Sequence, residues 1–200
     1  MSKKNKLNKS ETVKTPFGEF GLSSSHRIVL RLVHKVKYRG AKKILTNRSR
    51  RGLVSMTTKC TSVNFNDAAD IRLCEKIVND LLKTANKNYS RCLGLSANQI
   101  GYSKRIFVVR NERGGKFIPI INPVAVGRSG GMKTLGERCL SRVDKKKKKN
   151  LSPAIQVRRH KNILLEYHDV ILGGTNRAEF KGVLARAINH EMDHLNGVLV

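Results

Sequence analysis

His190-Glu191-Met192-Asp193-His194 is the stretch from which the rest of the chain is best read. On a helix, residues four apart sit about 40° apart around the axis, so the two imidazoles converge on one point in space. Two imidazoles at that spacing suit a transition metal, and Glu191 is close enough to reach a water bound there. The expected helix starts near Phe180 and stops at Gly197, because glycine is favoured just past a helix end. A metal that works on a substrate needs a third protein ligand and an open position. The six residues from Leu195 to Val200 offer only Asn196, a weak ligand, so the third must lie upstream. By residue type the candidates are Cys139, His160 and His168, with Cys60, Cys74 and Cys92 less favoured by position.

The same elimination disfavours zinc peptidases that draw their third ligand from downstream of this pattern. Further out, Asn66 or Asp67 caps an expected helix with Ile71, Cys74, Ile77, Val78, Leu81 and Leu82 on one face. Ile106 to Val109 and Phe117 to Asn122, ending at Pro123, read as a hairpin about a turn-rich Asn111 to Gly115 segment. Ile155 to Arg158 and Ile163 to Val170 read as a second hairpin, with Ile163, Leu165 and Tyr167 on one face, and Gly173 to Asn176 as a turn. His160 and His168 are expected to face solvent. The class is α+β, with antiparallel strands packed around a central helix bearing the HExxH pattern.

At 200 residues the chain is long enough for one substantial core, and its net charge of +27 implies an anionic partner, most often nucleic acid. Residues 1–56 hold 15 of the 41 Lys and Arg but only Glu11 and Glu19 of the 14 acids. They are expected to form a basic, poorly ordered N-terminal extension, with a hydrolase domain over 57–200. No apolar window is long enough for a membrane helix, and no secretory signal is visible. Four scattered cysteines without a CxxC pair fit a reducing, cytoplasmic setting, or an organellar one if residues 1–56 are a transit peptide.

Three segments together resemble the peptide deformylase family. They are Gly94-Leu95-Ser96-Ala97-Asn98-Gln99, Glu137-Arg138-Cys139-Leu140-Ser141, and His190 through Gly197, in that order. The resemblance covers roughly residue 57 to the end. It implies that Cys139, His190 and His194 bind one divalent metal, Fe2+ in many members and Zn2+ or Ni2+ in others. It implies Glu191 as general acid and base, Gln99 and the Leu140 backbone N–H as oxyanion donors, and Gly94 against the substrate backbone. The implied reaction removes the formyl group from N-formylmethionine on nascent chains. The basic arm would then meet ribosomal RNA.

The chain departs from the family pattern at several points. Arg138 stands where the second motif has glycine, and Cys92 where the first opens with glycine. The lysine run 145–149 replaces the usual Pro-Gly, and the chain ends three residues after Gly197. If the family glycine at position 138 serves a positive φ, Arg138 is strained or crowds the cleft. The net charge and Arg138 support a competing reading, a catalytically weak homologue acting as a ribosome- or RNA-binding module.

Overall fold

The computed structural model describes residues 12–15, 18–21, 40–111, 115–143, 154–169 and 174–200. β1 (Thr12–Thr15) and β2 (Gly18–Gly21) pair as an antiparallel hairpin separate from the main sheet. The main sheet has five strands in the order β3 (Gly94–Ser96), β4 (Ile106–Arg110), β5 (Phe117–Glu137), β6 (Ile155–His168) and β7 (Thr175–Lys181). Every neighbouring pair in it is antiparallel. Among the described residues three helices accompany it: α1 (Arg50–Thr57), α2 (Ala68–Lys87) and α3 (Gly182–Leu195).

Period-two alternation in β4 explains the layering. Ile106 and Val108 face one cluster, with Ile77, Leu81 and Ala85 of α2. Phe107 and Val109 face the other, with Ala185, Ile188, Met192 and Leu195 of α3. The sheet therefore lies between two helices, and β4 is buried on both faces. Asp67 caps α2 by accepting from the Ala69 N–H at 2.8 Å, and five of the six expected apolar positions are buried, Ile71 remaining half-exposed.

The strands are longer than their composition suggests. β5 passes through both prolines instead of ending at Pro123. Pro119 pairs with Val108 before β6 joins on the other side, so its missing N–H costs no ladder bond there. Pro123 falls inside a register shift between Ile121 and Val124, and a bulge leaves such a residue unpaired. A further shift contains Gly130 and Gly131, both at positive φ. Ile155 to His168 is one continuous strand, not a hairpin, because Arg159 to Asn162 keep pairing with β5. Asn176 likewise pairs with Tyr167 within β7 rather than turning. The lysine run 145–149 and Ile28 to Val36 lie outside the described residues.

Residues 40–56, expected as part of the extension, are packed onto the domain. Leu45 N–H donates to the Gln99 carbonyl at 2.8 Å, and Asn47 N–H to the Ser141 carbonyl at 3.0 Å. The Asn47 side chain accepts from Val143 N–H, the Ser55 hydroxyl donates to the Asn98 carbonyl, and Met56 is fully buried. Backbone pairing of this kind leaves no mark in composition.

Candidate metal centre

α3 carries His190 and His194 on one face, and their rings meet edge to face with centroids 4.9 Å apart. Cys139 lies two residues beyond the end of β5. Its sulfur is 3.1 Å from His194 Nε2, and the ligand atoms of Cys139, His190 and His194 all lie within 4.8 Å of one another, buried. Of the upstream candidates, the structure brings Cys139 to the histidine pair. His160 and His168 are half-buried on β6 rather than solvent-facing, and His168 stacks on Phe65 at 3.7 Å.

One thiolate and two imidazoles form a donor set for a divalent transition metal. The fit is supported by what surrounds it. His190 Nδ1 is 3.0 Å from Glu137 Oε2, which leaves Nε2 as the ring atom offered to a metal. Burial opposes a charge on both imidazoles. At His194 burial lowers the pKa to about 3, aided by the nearby His190 charge. At His190 hydrogen bonds to Cys139 and Glu137 overcome burial and lift it to about 10. Metal binding must displace that proton, so affinity rises with pH.

The two carboxylates differ. Burial would raise Glu137, but Arg159 and His190 hold it down to about 2. Arg159 donates to both of its oxygens, at 2.6 and 2.8 Å, and pairs with Asp193 at 2.8 Å, while Arg186 also grips Glu137. Glu191 has weaker company, the nearby His190 charge and a hydrogen bond from Ser96, which do not offset its burial. Its Oε2 is buried with no hydrogen-bond partner among the described residues, and burial pushes its pKa up to about 7. That is where a proton carrier works at neutral pH.

Gly94 borders Glu191 directly. A Cβ there would lie 2.6 Å from Glu191 Oε1 and 2.8 Å from its Cγ, so the glycine makes room for the carboxylate. β3, which begins at Gly94, is the edge strand of the sheet. Gln99 lies in the short 3-10 turn that follows β3. Its Oε1 accepts from the Ser96 N–H at 2.9 Å and hydroxyl at 3.0 Å. Its Nε2 is thereby aimed the other way, 3.0 Å from Ser141 Oγ and 3.5 Å from Cys139 Sγ. Ser141 N–H also points at that sulfur, at 3.4 Å. Leu140 sits between, its side chain packed on the α2 side of the core.

Ser96, Ser141, Glu137, Arg159 and Arg186 received no role from the sequence. Glu137 was within reach: a carboxylate two residues before a suspected ligand suits a histidine's second nitrogen. The departures prove mild locally. Arg138 is exposed, and Asn122 is the only non-glycine with positive φ among the described residues. The expected strain at Arg138 is therefore not found. Cys92 is buried and donates its thiol to the Gly94 carbonyl at 3.2 Å; burial raises its pKa, which leaves it inert. A cavity of about 380 Å³ is lined by residues that include Leu93, Arg110, Val183 and Ala187, none of them a candidate ligand.

Comparison with known proteins agrees with the geometry. The polypeptide deformylase profile matches residues 42–200. A peptide deformylase of Clostridium beijerinckii is 34% identical over 124 residues, which are 62% of this chain and 82% of that protein. A peptide deformylase structure from Ehrlichia chaffeensis in complex with actinonin superposes with a TM-score of 0.62 at 30% identity, covering 80% of this chain and 86% of that one. A Met-Ala-Ser-bound deformylase from Acinetobacter baumannii shares the fold, with a TM-score of 0.63 at 22% identity over 80% and 96% of the two chains. With the profile spanning all three motifs and the packed segment before them, this chain belongs to the polypeptide deformylase family.

Proposed function

We propose that this metal-dependent deformylase removes the formyl group of N-formylmethionyl peptides through a centre made by Cys139, His190, His194 and Glu191. One observation carries the assignment: three ligand atoms converge, buried, beside a carboxylate whose pKa stands near neutrality. When bound, a divalent metal polarises the formyl carbonyl and lowers the pKa of its water. Glu191 accepts the proton of the attacking water and returns one to the departing amine. Gln99, its carbonyl end held by Ser96, presents Nε2 to the oxygen that gains charge, with the Leu140 N–H alongside. The peptide would lie along Gly94 at the start of the edge strand β3, as suits a chain whose relative from Acinetobacter baumannii was solved with Met-Ala-Ser. Fe2+ is the metal proposed, with Zn2+ or Ni2+ able to substitute, since one thiolate beside two imidazoles accepts all three.

The test uses metal-loaded protein and formyl-Met-Ala-Ser. Release of formate, with Cys139→Ala losing its metal by elemental analysis, is the expected result. Full metal occupancy in Cys139→Ala overturns the ligand set. The reading as a catalytically weak binding module finds no support.

We propose further that the basic arm docks the enzyme on ribosomal RNA in the cytoplasm. Ten Lys and Arg stand against two acids in residues 1–39, and basic segments bind phosphate with a steep dependence on salt. No helix among the described residues is long and apolar enough to cross a membrane. Because residues 40–56 pack beside Gln99 and Ser141, the informative deletion stops at Arg39. It should leave activity on short peptides intact and weaken ribosome co-sedimentation at moderate salt. Equal co-sedimentation with and without the arm sinks the docking reading.

A further inference from the structure

We propose that Arg186 is a positioning residue that sets the distance between the cysteine ligand and the two histidine ligands. The inference rests on the ligand assignment above and adds a part that no motif contains.

The ligands come from two separate pieces of the fold. His190 and His194 ride on α3, whereas Cys139 hangs from the end of β5. The stretch of β5 leading to Cys139 is a poor ruler. From Arg128 to Gly136 it is exposed, it carries Gly130 and Gly131 at positive φ, and its register with β6 shifts between Ser129 and Met132. A strand of that kind does not by itself hold a sulfur atom at a fixed place against a helix, so something must tie the two together.

Arg186 does so from one turn before His190, on the same face of α3. Its Nη2 donates to the Lys133 carbonyl of β5 at 2.7 Å and to the Val157 carbonyl of β6 at 3.1 Å. Its Nη1 donates to the same Val157 carbonyl at 3.1 Å and to Glu137 Oε1. Glu137 in turn meets His190 Nδ1 through its other oxygen, at 3.0 Å. One planar fork thus joins the helix, both strands and the carboxylate that orients a ligand. Arg159 complements it from β6, reaching Glu137 and Asp193 but no main-chain oxygen of β5 in the described contacts.

Stability alone is a weak reason for this arrangement. The Arg159 guanidinium alone already meets both oxygens of Glu137, so a second is not needed to neutralise the buried charge. Fixing a ligand's orientation is a better one, because losing an outer partner of a metal ligand typically weakens metal binding about 10- to 100-fold. A lysine could supply the charge but not the fork that reaches two strands and a carboxylate at once.

The experiment compares full-length parent, Arg186→Met and Arg186→Lys, each loaded with Co2+. Methionine keeps the apolar stem and removes the guanidinium. Three quantities are measured: the rate of metal loss to a chelator, the thiolate-to-cobalt charge-transfer and d–d absorption, and the melting of the metal-free proteins. In Arg186→Met, metal should leave at least tenfold faster and the thiolate band should weaken or shift, while metal-free melting changes little. Arg186→Lys should fall between. Arg177→Met, which removes an exposed arginine paired with Glu166 on the neighbouring strands, should behave as the parent. Parent-like metal loss and spectra in Arg186→Met overturn the proposal, as does an equal change in Arg177→Met. If Arg186→Met does not fold, Arg186→Gln replaces it under the same criteria. Metal retained by Cys139→Ala would instead sink the ligand assignment, so the two failures are told apart.

Discussion

Glu137 at the end of β5 and Glu191 on α3 are both buried, and each stands beside a suspected ligand, yet they are held in opposite states. Glu137 is surrounded by Arg159, Arg186 and His190 and keeps its charge down to about pH 2. Glu191 is buried with one oxygen unpartnered among the described residues, and burial pushes its pKa up to about 7. The same side chain is held as a fixed anchor in one place and, in the other, is suited to the proton carrier proposed above. Cations decide the first case and desolvation the second.

The comparison is broken most directly at Glu191. Glu191→Gln preserves shape and removes the titratable proton, so kcat should fall by about a thousandfold or more with metal content unchanged. Loss of metal instead would mean Glu191 is structural. Glu137→Gln attacks the other half. It should weaken metal affinity by about 10- to 100-fold, read by competition with a chelator, with a smaller effect on kcat at saturating metal.

Acid sharpens the same contrast. Because Glu137's folded pKa lies below its ordinary 4.5, its contribution to stability is complete above pH 4.5 and is lost as pH falls towards 2. Glu137→Gln should therefore flatten the loss of stability across that window. An unchanged acid profile in the variant contradicts the anchor role.

Gly94→Ala is a gentler blow, since the new Cβ displaces the Glu191 carboxylate without removing it. Turnover should drop about tenfold with metal retained, as a proton carrier tolerates little misplacement. Smallest is Arg138→Gly. Arg138 is exposed and free of positive φ, so kcat/KM should stay within about twofold of the parent, despite the strain expected there from sequence.

The same pair of glutamates shows where sequence speaks and where it is silent. A helix states its geometry in its spacing. His190 and His194 could be placed on one face from the pattern alone, α2 was legible from its apolar period, and Gly197 does take the positive φ expected past a helix end. Strand ends and bulges leave no comparable mark. Nothing in Pro123 says that a register shift will absorb it, and nothing in Arg159 to Asn162 distinguishes a turn from a continuing strand except the partner on β5. The cations around Glu137 come from Arg159 and Arg186, far from it in the chain, so its role became visible only with tertiary contacts. Residues 40–56 are held by backbone bonds to Gln99 and Ser141 and by scattered contacts of Asn47, Ser55 and Met56, which form no periodic pattern in the sequence.

Cys139 and His194 are 55 residues apart in the chain and 3.1 Å apart in space. An ion shared between them, as the proposed ligand set requires, would act as a removable cross-link, closing a loop of strands β6 and β7 with most of α3. In an unfolded chain a covalent closure of that size would cost about 4 kcal/mol of conformational entropy. Metal supply thereby becomes a control on lifetime as well as on turnover. Protein starved of metal should be digested by proteases from the β5–β6 side sooner than its loaded counterpart, even when both are fully folded at the start.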